Sequence, residues 1–266
     1  MITGILGVLG LMTAWFGVEF AKDLSKNKEA MEPETNFLTS GLIGFTTNFF
    51  DTLGIGSFAP TTALLRGFKQ IHDRVLPGTL NVSCTLPVVA EAFIFITVIE
   101  VEPITLISML AAATLGAWLG AGIVSNLPEK KIQMGMAVAL LVTAFLMLAG
   151  QMGWMPGGGD AIGLNGVKLV IAILGNFILG ALMTLGIGLY APSMALVYLL
   201  GMSPAVAFPI MMGSCAFLMP VASIKFVKEG AYNRKASLAI ATFGLVGVFI
   251  AAYIVKSLPL DVLRWL

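Results

Sequence analysis

Two segments of this chain, Thr52-Leu-Gly-Ile-Gly-Ser-Phe-Ala-Pro60 and Thr184-Leu-Gly-Ile-Gly-Leu-Tyr-Ala-Pro192, agree at seven of nine positions and lie 132 residues apart. A second echo pairs Leu115-Gly-Ala-Trp-Leu-Gly-Ala-Gly-Ile-Val-Ser-Asn-Leu-Pro128 with Val246-Gly-Val-Phe-Ile-Ala-Ala-Tyr-Ile-Val-Lys-Ser-Leu-Pro259 at an offset of 131. Pro77 with Pro209, and Ser83-Cys84 with Ser214-Cys215, keep the same register. The chain therefore reads as two copies of one unit, residues 1–128 and 129–266. Whatever one copy folds into, the other must fold into as well.

The solvent for those copies follows from composition: 58% of residues are hydrophobic and 11% charged, with a mean hydropathy of +0.96. Such a chain faces lipid. Its apolar stretches, near 2–21, 37–66, 77–99, 104–126, 131–150, 167–200, 204–226 and 236–257, predict about eight helical membrane segments and an all-α polytopic fold. The first stretch lacks a basic leader and a small-residue cleavage site, so it reads as a helix and not as a signal peptide. A net charge of +1 without Lys or Arg runs gives no sign of nucleic-acid binding. Cys84 and Cys215, both in apolar stretches, read as small buried side chains.

Two stretches, 37–66 and 167–200, are too long for one crossing, and both carry the glycine pair. Each is expected to break there, leaving a second arm of only about 15–20 Å at 1.5 Å per residue. A hairpin that enters and returns on one side fits that length. It also sorts the charges. With two such hairpins, Lys22, Lys26, Lys28, Arg66, Lys69, Arg74, Lys130, Lys131, Lys225, Lys228, Arg234 and Lys235 share one side, against Lys168, Lys256 and Arg264. That bias marks the basic side as cytoplasmic and puts both termini outside. Each copy then has three crossings and one re-entrant hairpin, and the copies are inverted, an architecture suited to alternating access.

Short helices that start at membrane depth present free amides and the positive end of their dipole, which suits an anion. The expected binding groups are Gly54, Gly56, Ser57 and Thr61, with Asn48 and Thr52, in the first copy and Gly186, Gly188, Tyr190 and Ser193 in the second. Thr62, Asn176 and Thr184 lie close by, and Asn81, Ser83 and Ser214 are weaker candidates. Each hydroxyl serves equally well to bond a helix carbonyl or cap a half-helix. Asp51 and Glu91 are carboxylates within apolar segments, placed either to carry a coupling proton or to hold structure. Arg66 and Lys225 read as snorkelling to the basic side. His72 is the only histidine, and no catalytic or metal-ligating motif accompanies it, so neither an enzyme nor a cofactor is expected. A channel using the same hairpins, or a carrier of another small carboxylate or oxyanion, stays open.

The glycine break followed by Pro60, its match in the second copy, and Leu115-Gly-Ala-Trp-Leu-Gly-Ala-Gly-Ile-Val-Ser-Asn-Leu-Pro-Glu-Lys-Lys131 together resemble the sulfite exporter TauE/SafE family over nearly the whole chain. The resemblance implies a bacterial inner-membrane permease for sulfite, sulfoacetate or related sulfur-containing anions. The partners expected are the anion and the bilayer, with a proton as coupling ion if Asp51 or Glu91 carries one, and with self-association left open. Family members commonly continue the break with more glycines, whereas this chain has Ser57-Phe58 and Leu189-Tyr190, which would reshape the pocket.

Overall fold

The computed structural model describes residues 2–96, 99–154 and 158–257. Leu258, Pro259 and Arg264, used above for the second echo and the charge count, lie outside them. The described residues form helices α1 (Ile2–Lys26), α2 (Phe37–Thr52), α3 (Phe58–Gly67), α4 (Leu76–Phe95), α5 (Pro103–Val124), α6 (Glu129–Gln151), α7 (Gly166–Met183), α8 (Tyr190–Leu199), α9 (Pro204–Lys228) and α10 (Arg234–Ser257). Five of these, α1, α5, α7, α9 and α10 up to Ile254, are long and apolar enough to cross a membrane.

The surface reverses the usual distribution. Leu11, Trp15, Ile104, Val167 and Tyr253 are exposed, while Asn48, Asp51, Glu91, Asn176 and Ser214 are buried. Polar inside and apolar outside is the arrangement of a multi-pass membrane protein.

Local chemistry sets the helix limits. Asn36 caps α2 by accepting from the Thr39 amide at 3.0 Å, and Asn233 caps α10 by accepting from Ala236 at 2.8 Å. Glu102 caps α5, with Pro103 opening the helix. Its carboxylate accepts from the Thr105 hydroxyl at 2.6 Å and the Thr105 amide at 2.7 Å. Those bonds, with a further one from the Ile104 amide, hold it below the usual glutamate range. The two long stretches break as expected, at 53–57 and 184–189. Gly54 and Gly56 have φ of +91° and +89°, and Gly186 has +94°, which L side chains rarely adopt. Gly188 differs from the expectation: its φ is not positive, so the second break turns on one such glycine and not two.

The copies interlock. α2 packs chiefly on α10, and α7 chiefly on α5, while α4 and α9 lie against each other between them. Glycines make the close approaches. A Cβ at Gly247 of α10 would run into the Phe45 carbonyl oxygen of α2, and a Cβ at Gly116 of α5 into that of Phe177 of α7. Phe45 and Phe177 are 132 residues apart and Gly116 and Gly247 are 131 apart, the offsets of the sequence repeat. Equivalent residues thus make equivalent contacts across the halves, through the small-residue packing that membrane helices favour.

Loops gather at two ends. At the basic end the Thr35 hydroxyl donates to the Gln70 carbonyl at 2.8 Å, and Asn233 Nδ2 donates to Thr35 Oγ1 at 2.8 Å. Arg234 Nε meets Asp23 Oδ2 at 2.7 Å, and Arg74 donates to the Ser125 carbonyl at 2.7 Å. At the other end the Glu102 amide bonds the Ile162 carbonyl at 2.9 Å, the Ser203 amide bonds Ala161 at 2.8 Å, and Lys168 reaches the Leu200 carbonyl at 3.1 Å. The start of α2 and the end of α3 therefore lie together at the basic end. The start of α7 and the end of α8 lie together at the opposite one.

Candidate functional site at the glycine breaks

Where α3 and α8 begin, the two breaks meet. A small cavity of about 20 Å³ is lined by Asp51, Gly56, Ser57 and Phe58 from the first copy and by Met183, Gly188, Leu189 and Tyr190 from the second, with Val88 of α4 and Cys215 of α9. A neighbouring cavity of about 70 Å³ is lined by Gly54, Ile55, Gly56, Phe58, Ala59, Gly188, Tyr190, Ala191 and Met194. The smaller one has room for about one water molecule. Both half-helices carry proline at their third residue, Pro60 and Pro192, so the free amides of each first turn are confined to the residues nearest the break.

Buried polar groups converge beside the cavity. The Ser57 hydroxyl donates to Asp51 Oδ2 at 2.9 Å, which places a carboxylate at the start of α3. Glu91, from α4, bridges the copies: Thr52 Oγ1 lies 3.0 Å from its Oε1, and the Tyr190 hydroxyl donates to its Oε2 at 3.1 Å. Thr52 Oγ1 also lies 2.9 Å from the Asn48 carbonyl oxygen. Among the described residues neither carboxylate has a Lys or Arg partner.

The residues singled out from sequence divide. Gly54, Gly56, Ser57, Gly188 and Tyr190 line the cavities, and Thr52 joins them through Glu91. Gly186 instead packs near Leu80 and Met136. Asn48 faces Gly244 of α10 and donates to the Gly44 carbonyl at 2.8 Å, and Thr61 donates to Thr47 at 2.8 Å, binding α3 to α2. Ser193 is fully buried with no partner for its hydroxyl among the described residues. Asn176 braces three helices, donating to the Met109 carbonyl and to Ser214, each at 2.8 Å. Thr184 bonds back to the Ala181 carbonyl. Sequence reasoning passed over Cys215 as a lining group. The one signal for it was its register with Cys84, which cannot say which way a helix faces.

No curated protein and no solved structure matches this chain. The profile of the family described as Sulfite exporter TauE/SafE matches residues 1–147, more than half of the chain and the whole of the first glycine break. This all-helical, multi-pass chain, with two half-helices meeting over a small cavity, is a member of the sulfite exporter TauE/SafE family.

Proposed function

We propose that the chain carries a small sulfur-containing anion, sulfite or a sulfonate such as sulfoacetate, across the bacterial inner membrane by alternating access, and that the cavity between the breaks is its binding site. The observation that carries this reading is the convergence of both half-helix starts on one small cavity. Amides at Gly56 and Gly188 and, with a small shift, the Ser193 hydroxyl supply donors without a buried cation, and the Ser57 and Tyr190 hydroxyls join them only by releasing Asp51 and Glu91. Space for about one water implies that the hairpins part to admit an oxyanion, as a carrier requires and an open channel does not.

The architecture we infer is six crossings and two re-entrant hairpins in inverted copies. In support, each hairpin begins and ends among loops of one end, and α4 leaves the basic end whereas its counterpart α9 arrives there. The surplus of Lys and Arg at that end supports a cytoplasmic placement and outward termini.

Glu91 is the better candidate for proton coupling. Thr52 Oγ1 has one hydrogen and two acceptors within 3.0 Å, the Asn48 carbonyl and Glu91. A proton on Glu91, donated to Thr52, completes the network; without it the network is one hydrogen short. Deprotonation would therefore loosen the Thr52–Glu91 link within the first copy, while Glu91 would still accept from the Tyr190 hydroxyl of the second.

Proteoliposomes offered sulfite, sulfoacetate, taurine, thiosulfate and sulfate, with and without a proton gradient, test the reading. Saturable flux of a sulfur anion is expected, lost in Gly56→Val with insertion intact. The pH dependence of flux is expected to vanish in Glu91→Gln. Normal flux in well-folded Gly56→Val would place the site elsewhere.

A further inference from the structure

We propose a second anion site, an antechamber at the basic end in which Arg66, Gln133 and Thr62 take a small sulfur oxyanion after Asp73 gives way. The choice of ligand rests on the carrier reading above; the site itself rests on a separate cavity. That cavity, about 430 Å³, lies along α3 and is walled by α4 and α6. Its polar lining is Thr62, Arg66, Asp73 and Gln133. A wider recess of about 560 Å³, bearing Glu34, Lys69 and His72, shares only Arg66 and Asp73 with it. The recess and the cavity meet at this ion pair.

Asp73 is held as an anion would be. Arg66 Nε lies 3.0 Å from Oδ1, Arg66 Nη2 donates to Oδ2 at 3.1 Å, and Gln133 Nε2 donates to Oδ2 at 2.8 Å. This two-pronged grip with a third donor is what a sulfite or sulfonate group requires. Thr62 sits one turn before Arg66 on the same helix face, is buried, and has no partner for its hydroxyl among the described residues. It supplies the next donor inward. Asp73 belongs to a single-turn helix, Asp73–Val75, and its partner Arg66 is half exposed, so a competing anion can approach the pair from the Arg66 side.

One wall of the cavity touches the second break. Met136 lines it and its Cε would lie 3.1 Å from a Cβ at Gly186, in the second break. α3 itself runs about 15 Å from the first break to Arg66. The pair is not repeated in the second copy: the residues 132 positions on from Arg66 and Asp73 are Tyr198 and Ala205. The antechamber thus makes the two ends of a duplicated carrier unequal, with anion capture at the basic one.

Sulfite binding to the full chain in detergent, by calorimetry, and sulfite flux in vesicles of both orientations separate this proposal from the carrier reading. Two binding events are expected, one lost in Arg66→Gln. The half-saturating sulfite concentration should rise about tenfold in that variant from the basic end alone, as for loss of one charge-assisted grip. Asp73→Asn, which removes the competing carboxylate, should lower it severalfold. Gly56→Val should lose flux and keep the Arg66-dependent event. Wild-type binding in Arg66→Gln, or equal effects from both ends, overturns the antechamber and leaves the carrier reading standing. If Arg66→Gln does not fold, an unchanged Asp73→Asn overturns it. A wild-type chain that moves no sulfur anion sinks the carrier reading, and the antechamber stands or falls with Arg66-dependent sulfite binding.

Discussion

Gly56 and Gly188 occupy matching places in the two breaks and face the same cavity, yet they are not equivalent. Only Gly56 has a left-handed φ, and a Cβ at either position would meet open space. Gly56→Ala should therefore lower stability by about 1–2 kcal/mol through backbone strain, whereas Gly188→Ala should leave stability nearly unchanged; thermal unfolding in detergent separates the two. Both add a methyl to a space that holds about one water, so both should depress flux. Glu102 gives a test remote from the site. Its cap bonds form with the ionised carboxyl, whose folded-state value lies below its unfolded one, so the stabilisation is present above the ordinary glutamate range and fades as pH falls through the lower folded-state value. Glu102→Gln should melt earlier at neutral pH, with the gap closing below about pH 4. At this scale sequence shows which residues are unusual and not where they point. Asn48 and Thr61 look as well placed as Ser57, but the facing of a helix is set by its neighbour, and those two turn to α10 and to Thr47.

Helix extents were far more legible, because apolar length and glycine placement are local. All eight apolar stretches correspond to helices or broken pairs within a few residues. What no local signal carries is partner choice: each hairpin packs on the final helix of the other copy and not its own. The equivalent contacts Gly116 with Phe177 and Gly247 with Phe45 make that choice testable. Gly116→Val and Gly247→Val each drive a branched side chain into a backbone carbonyl, and each should destabilise by about 1–3 kcal/mol through forced separation of the helices. Matched losses in melting temperature would fit two copies of one interface. A large loss at one position with none at the other would count against it.

For the molecule as a whole, the grouping of loops into two ends predicts sidedness. Cysteines placed at Lys28 and Lys69, both exposed, should react with an impermeant thiol reagent from one face, and a cysteine at the exposed Asp160 from the other. Cys84 and Cys215 are buried and should add little background. Labelling of positions 28 and 69 from opposite faces would remove the re-entrant reading. The interlocked packing has a further consequence, for the order in which the protein is made. A nascent chain that has delivered α5 holds its glycine stripe ready with no α7 to meet it, and α2, which carries the first break, waits for α10 at the far end of the second copy. Translation must therefore reach α7 before the close-packing face of α5 is covered, and α10 before α2 is, so the first break is made well before the helix that backs it.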